Sequence, residues 1–204
     1  KDARQVTVNQ EKLLQHEGYY PNVYFGPMKV IARKKKLLVK SKALPLPLHL
    51  KPLPDSNFSV KVKLFGLIPI PVKMLNALKV EFRTVHGEKY LYFNIAETMI
   101  NPNLCIEPFK IPQAYDNYTG TYKVMNMKRS ARLVKDIKIK KIKNFYLLKY
   151  TFLGRHKFNL VLKPVDHKNA IIGGIGQFQG EKIQWKTTNN KIQMHWSGLI
   201  LEKK

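Results

Sequence analysis

Gly18-Tyr19-Tyr20 recurs 102 residues later as Gly120-Thr121-Tyr122. Each Gly-x-Tyr opens a stretch with the same plan: short alternating strands, Lys-rich turns, then a closing apolar strand. A period this long exceeds that of a solenoid repeat and suits a duplicated small β-domain. The chain is thereby divided in two before any chemistry is considered. At 204 residues, each half is long enough to bury a modest core.

Residues 1–17 read as an N-terminal arm with a helical turn around Glu11-Lys12-Leu13-Leu14. The first β unit spans 18–95. Met28–Ala32 and Leu37–Lys40 form a hairpin whose tip is Arg33-Lys34-Lys35-Lys36. Leu44–Pro54 is too rich in proline for a central strand and reads as an edge strand or an extended crossover. Phe58, Val60, Val62 and Leu64 alternate with polar residues in a half-buried strand. The segment Phe65–Val72 is an apolar loop, either folded onto its own domain or exposed as a docking patch through Phe65, Leu67, Ile68 and Ile70. Leu78, Val80 and Phe82 are expected to pair with Tyr90, Tyr92 and Asn94 across His86-Gly87.

Residues 96–115, with Pro102, Pro108 and Pro112, read as a linker. The second unit, 116–204, has Ile137 and Ile139 on one face and Lys138 and Lys140 on the other. Lys141-Ile142-Lys143 shifts that pattern, which predicts a turn or bulge near Lys140-Lys141. Ile183 and Trp185 pair with Ile192, Met194 and Trp196 across Asn189-Asn190. No stretch of a dozen residues has a helical period. The fold class is therefore all-β, with two consecutive antiparallel units of seven or eight strands, and barrel closure is the economical way to remove their edges.

The net charge is +24, from 37 Lys and Arg against 13 Asp and Glu. It favours polyanions: nucleic acid, anionic lipid or an acidic cell-wall polymer. Ordinary solvated strand faces would explain it too. The candidate clusters are Arg33, Lys34, Lys35 and Lys36 in the first unit, and Lys138, Lys140, Lys141 and Lys143 in the second. Lysine far outnumbers arginine, so sequence-specific nucleic-acid readout, which relies on bidentate guanidinium forks, is not expected.

Catalytic groups are hard to find. Gly173-Gly174-Ile175-Gly176 lacks the Gly-Lys-Ser/Thr that would make it a phosphate loop, and reads as a bend in a strand. The six histidines never reach metal-ligand spacing with one another or with Cys105, so no metal and no cofactor are expected. Cys105 is the single cysteine, which excludes an internal disulfide and suits a bystander thiol. None of Ser41, Ser56, Ser59, Ser130 or Ser197 has lysine three residues on, so Ser-x-x-Lys chemistry is absent from this stretch. No apolar run approaches the roughly 18 residues of a membrane helix. Lys1 in first place suggests a processed product or part of a longer chain.

Ile111-Pro112-Gln113-Ala114-Tyr115 through Tyr118-Thr119-Gly120-Thr121-Tyr122 carries a resemblance. So do Ala170–Gly174, Gly180-Glu181, and the closing Trp196-Ser197-Gly198-Leu199-Ile200-Leu201. Together they resemble the C-terminal accessory region of bacterial serine hydrolases of the β-lactamase-related, penicillin-binding-protein-like family, in particular its D-aminopeptidase branch. Val6-Thr7-Val8 through Leu13, Gly18 and Tyr20 resemble the join from a catalytic domain into the first accessory unit. The resemblance implies a pair of lipocalin-like barrels beside a catalytic domain, either in the same polypeptide or in a partner chain, and an extracytoplasmic bacterial location. It carries over no catalytic residue. The lysine excess and the Phe65–Val72 loop fall outside what it explains.

Three functional readings follow. The leading one is a non-catalytic accessory module that braces a serine hydrolase and shapes substrate access. The alternative is an independent basic β protein that binds a polyanion or an anionic membrane surface. The third takes the barrels as carriers of a small apolar ligand, with Trp185, Trp196, Phe158 and Phe178 lining a cavity rather than filling it.

Overall fold

The structure, a computed structural model, describes residues 9–64, 68–70, 77–95, 98–128, 133–175 and 178–204. It is all-β and divides into two compact units, one of Lys1–Pro21 and Pro27–Glu107, the other of Asn22–Gly26 and Pro108–Lys204.

The first unit opens with a short helix, α1 (Gln10–Leu14), capped by the Asn9 side chain, which accepts from the Glu11 N–H at 3.2 Å. Strands β1 (Gly18–Asn22), β2 (Gly26–Arg33), β3 (Lys36–Lys40), β4 (Leu48–Pro52) and β5 (Phe58–Leu64) follow in antiparallel order. A three-residue strand, β6 (Ile68–Ile70), pairs with β5 beside the main path. The sheet continues through β7 (Leu78–Val85), β8 (Glu88–Ile95) and β9 (Thr98–Leu104). It nearly closes on itself, since the Ile106 N–H donates to Tyr19 O at 2.8 Å. Strand alternation points Val30, Leu37, Val39, Leu50, Val60 and Val80 into the core, all 4% exposed or less.

In the second unit a 3-10 helix, Gln113–Tyr118, precedes β10 (Gly120–Val124), β11 (Val134–Ile142), β12 (Phe145–Phe152) and β13 (His156–Pro164). The remaining strands are β14 (Asn169–Ile172), β15 (Lys182–Thr188), β16 (Lys191–Trp196) and β17 (Leu199–Lys203). They form a closed eight-stranded barrel in which β10 pairs with both β11 and β17. Its core is aromatic, built around Tyr115, Tyr122, Tyr146, Tyr150, Trp185 and Trp196. β12 is buried on both faces. Its other face is covered where Gly26 lies against Leu147 and Asn159, and where Phe109 meets Phe145 edge to face at 6.3 Å.

The duplication extends to the way each barrel is stoppered. Leu13 and Tyr115, at equivalent positions in the two leading helices, are both fully buried. Gly18 and Gly120 both have positive φ, 154° and 142°. A Cβ at Gly18 would run into Cys105 Sγ, and one at Gly120 would lie 2.8 Å from Lys203 Cε. Each glycine therefore lets the first strand of its unit approach the last.

Four expectations need correction. Leu48–Pro52 is a central strand, paired with both β3 and β5. Pro45 and Pro47 precede it, and Pro52 pairs only on the β5 side, so no ladder N–H is lost between β3 and β4. The stretch 96–115 is not a simple linker, because it holds β9 and the start of the 3-10 helix. Pro102 fits in β9 because the register with β8 shifts between Leu91 and Phe93, where a bulge frees it from pairing. The β7–β8 hairpin sits one residue away from the expected register. Its two-residue turn sets Val85 opposite Glu88, so Val80 meets Phe93 and Phe82 meets Leu91. Finally, β11 runs unbroken through Lys140 and Lys141, and its irregularity lies between Lys135 and Lys138, where Asp136 has φ 53°.

Candidate functional site

The interior of the second barrel is packed with aromatic side chains. In the second barrel Tyr118 stacks on Trp185 at 4.6 Å, Tyr150 stacks on Phe158 at 5.0 Å, and Tyr150 lies 5.0 Å from Trp196. Phe178 meets Phe158 edge to face at 6.0 Å. The four rings that could have lined a ligand cavity instead pack against other aromatic rings. Tyr115 plugs the barrel from the 3-10 helix, donating its hydroxyl to Asn169 O at 2.5 Å.

Hydrolytic chemistry finds no constellation among the described residues. Ser197 donates to Glu181 at 2.5 Å, and the same carboxylate oxygen accepts from Trp196 Nε1 at 2.8 Å. That arrangement ties the β16–β17 turn to Glu181. Burial pushes the Cys105 thiol up, away from nucleophilic character. No group of three His, Cys, Asp or Glu among the described residues is placed to hold a metal ion.

The two predicted basic clusters fall in different units. Arg33, Lys34 and Lys35 are exposed at the β2–β3 turn, with Lys34 at φ 52°, while Lys36 is half-buried. Lys138, Lys140, Lys141 and Lys143 are all exposed. Of these, Lys138, Lys140 and Lys141 line a groove of about 470 Å³ together with Thr119, Gly120, Thr121 and Ile139. Lys141 is already engaged: its ammonium lies 2.8 Å from Asp116 and 5.7 Å from the centre of the Tyr146 ring. Asp116, held below the usual carboxylate range by its bonds to Lys141 and Tyr146, also accepts from the Tyr146 hydroxyl. Lys143 sits in the following turn at φ 53° and does not line the groove. Half-buried Lys149 pairs with Lys138 across β11 and β12, its ammonium pushed down by burial and then by Lys140, Lys138 and Lys157.

Of the apolar docking loop, Phe65 and Leu67 lie outside the described residues. Ile68 and Ile70 begin and end β6, whose backbone pairs with Leu64 and Val62.

One cluster went unread in the sequence. On the outer face of the first barrel, buried His49 lies among Lys36, Lys51 and Lys63. Its imidazole is held below the ordinary histidine value by burial, then by Lys36, Lys63 and Lys51. Lys36 is likewise lowered, first by burial and then by Lys63. A sequence signal existed: between Glu17 and Glu81 the one acid is Asp55, against twelve Lys and Arg. Asp55 bonds Lys79 at 2.8 Å, and Glu81 bonds Arg83 at 2.6 Å, so these acids are engaged on β7.

Comparisons of the chain with known protein families, with curated proteins and with solved structures found no match.

Proposed function

We propose that the chain is a non-catalytic accessory module, two barrels that brace the catalytic domain of a serine hydrolase and shape access to it. The observation that carries this reading is the close-packed aromatic interior of the second barrel. A stoppered, close-packed barrel offers rigid outer surfaces rather than a reaction chamber, as a scaffold beside another domain requires. The short Gly-Tyr and turn motifs that resemble hydrolase accessory regions supply the identity of the domain it would serve. Incubation with a fluorescent penicillin tests the first half of the reading. No serine of this chain is expected to be labelled, and stoichiometric labelling would overturn it.

A second reading, binding of a polyanion, is favoured by the lysine-lined groove of the second barrel. Phosphate contacts release condensed counterions, so binding to DNA should weaken steeply with salt and show no preference among sequences. Replacing Lys138 and Lys140 with Gln should lower the salt slope by about one to two units. A slope unchanged by these substitutions would count against the groove.

A further inference from the structure

The second barrel differs at its two ends. The 3-10 helix stoppers one of them, where Tyr115 reaches Asn169 O at the start of β14. Antiparallel order gathers the β10–β11 and β14–β15 connections and the β12–β13 and β16–β17 turns at the other. That other end is apolar. Met125 is 45% exposed, Leu133 54% and Leu153 53%. The Leu153 N–H donates to Leu133 O at 2.9 Å, so the two leucines adjoin. The Met125 N–H donates to Ile200 O of β17 at 2.8 Å. At the same end half-buried Phe158 meets half-buried Phe152 and Phe178 edge to face.

Neither backbone nor packing calls for a leucine at 153. It takes φ 49° and Gly154 takes φ 73°, in a turn closed by the Arg155 N–H on Phe152 O at 3.2 Å. Such a hairpin turn favours Asn-Gly, because Asn tolerates the left-handed backbone and is readily solvated. Leucine there bears both the strain and the exposure. The turns around it leave room for a partner: a Cβ at Gly154, Gly180 or Gly198 would meet nothing within 4 Å. Single exposed apolar side chains are ordinary, but a cluster on adjoining connections marks a surface that binds something.

Charge decides what it binds. Lys128, Lys135, Arg155 and Lys157 are exposed on the turns and strand ends of the same end. Among the described residues the acids there are Asp136 and Glu181. Asp136 accepts from Thr151 at 3.2 Å, and Glu181 accepts from Trp196 and Ser197. Apolar tips ringed by cations suit a surface with negative charge at the level of the ring and hydrocarbon beneath it. An anionic bilayer leaflet has that layering, whereas a nucleic acid has no hydrocarbon to receive the leucines.

We propose that the end of the second barrel away from the 3-10 helix docks on an anionic membrane surface. Met125, Leu133 and Leu153 enter the boundary between headgroups and acyl chains, and Lys128, Lys135, Arg155 and Lys157 stay among the headgroups. The site is independent of the accessory-module reading.

The test is flotation of the intact chain with vesicles of phosphatidylcholine, alone or with about one-third phosphatidylglycerol, at low and high salt. The expected result is binding to the anionic vesicles that weakens with salt, and little binding to the neutral ones. Leu133→Ser/Leu153→Ser keeps the charge and should bind at least tenfold more weakly, since two apolar side chains no longer leave water. Lys128→Gln/Arg155→Gln should lose at least tenfold as well. An unchanged melting temperature verifies that these variants, altered only at exposed positions, remain folded. A readout independent of them is Leu153→Trp, whose added indole should be quenched by lipids brominated on the acyl chain. Trp185 and Trp196 are buried in the barrel and should not respond. Equal binding to neutral vesicles, an affinity unchanged in the folded leucine double variant, or an indole indifferent to brominated lipid would overturn the proposal. So would binding lost only in Lys138→Gln/Lys140→Gln, which would assign the membrane contact to the groove. No binding to anionic vesicles would overturn it too, and self-association abolished by the leucine substitutions would then assign the surface to a second copy of the chain.

Discussion

Tyr20 and Tyr122, 102 positions apart, make the same hydrogen bond. Tyr20 donates its hydroxyl to His16 O at 3.0 Å, and Tyr122 donates to Tyr118 O at 2.7 Å, each to a carbonyl four residues back. That carbonyl lies just past the helix in the first unit and on its last residue in the second, so the bond pins the helical stopper onto the first strand. Both tyrosine hydroxyls are pushed up by burial, which keeps them neutral donors. Replacing either with Phe leaves a carbonyl near the barrel rim without its donor, at a cost of about 1 kcal/mol. Denaturant titration of Tyr20→Phe, Tyr122→Phe and the double variant should show two comparable losses that add. Strong coupling between the two sites would contradict the reading of separate, equivalent stoppers.

Gly18→Ala tests the close approach of the first strand to the last. The added methyl would collide with Cys105 Sγ and would sit at φ 154°. The expected loss is about 1–3 kcal/mol, from the clash together with the disfavoured backbone. Cys105→Ala in the same chain should recover part of it, namely the clash but not the backbone strain. No recovery at all would mean that Cys105 is not what holds position 18 to glycine.

The register of the second barrel was legible where polarity alternates. Ile183 and Trp185 face the core opposite Trp196 and Met194, and the polar residues between them leave one register that buries both. In β8 the run Tyr90-Leu91-Tyr92-Phe93 is apolar on both faces, so hydrophobicity cannot choose. The two-residue turn at His86 and Gly87, with φ of 49° and 81°, decides instead. The prolines of β4 misled for a related reason: composition counts prolines, whereas a ladder is harmed only by those whose missing N–H faces a partner. As for the sites, the turn cluster Arg33–Lys36 is visible as a run of charge. The His49 cluster is assembled from β3, β4 and β5, and its members meet only once the registers are known.

Stability should fall in two acid steps. His16 and His49 are both held below the ordinary value of 6.5, chiefly by burial. The unfolded chain therefore binds more protons than the folded one just below pH 6.5. Their contribution is complete above that pH and is lost as pH falls from it toward the lowered folded values. Asp55 acts in a separate window. Its bond to Lys79 lowers it from 3.8 to about 2, so its contribution is present above 3.8 and disappears as pH drops toward about 2. Urea midpoints measured from pH 8 to pH 3 should show the first decline, and His49→Gln should flatten it. A midpoint that stays level between pH 7 and pH 5 would contradict the lowering of both histidines.

We propose that these barrels serve a catalytic domain without themselves reacting. Joining the chain to the Ser-x-x-Lys domain expected beside it, and comparing that enzyme with and without the barrels, tests this most directly. The serine of the catalytic domain alone should take up a fluorescent penicillin. Removing the barrels should change kcat/KM for a bulky D-amino-acid peptide by about tenfold, or about 1.4 kcal/mol, while a small chromogenic amide is turned over as before. Identical kinetics on both substrates with and without the barrels would contradict it.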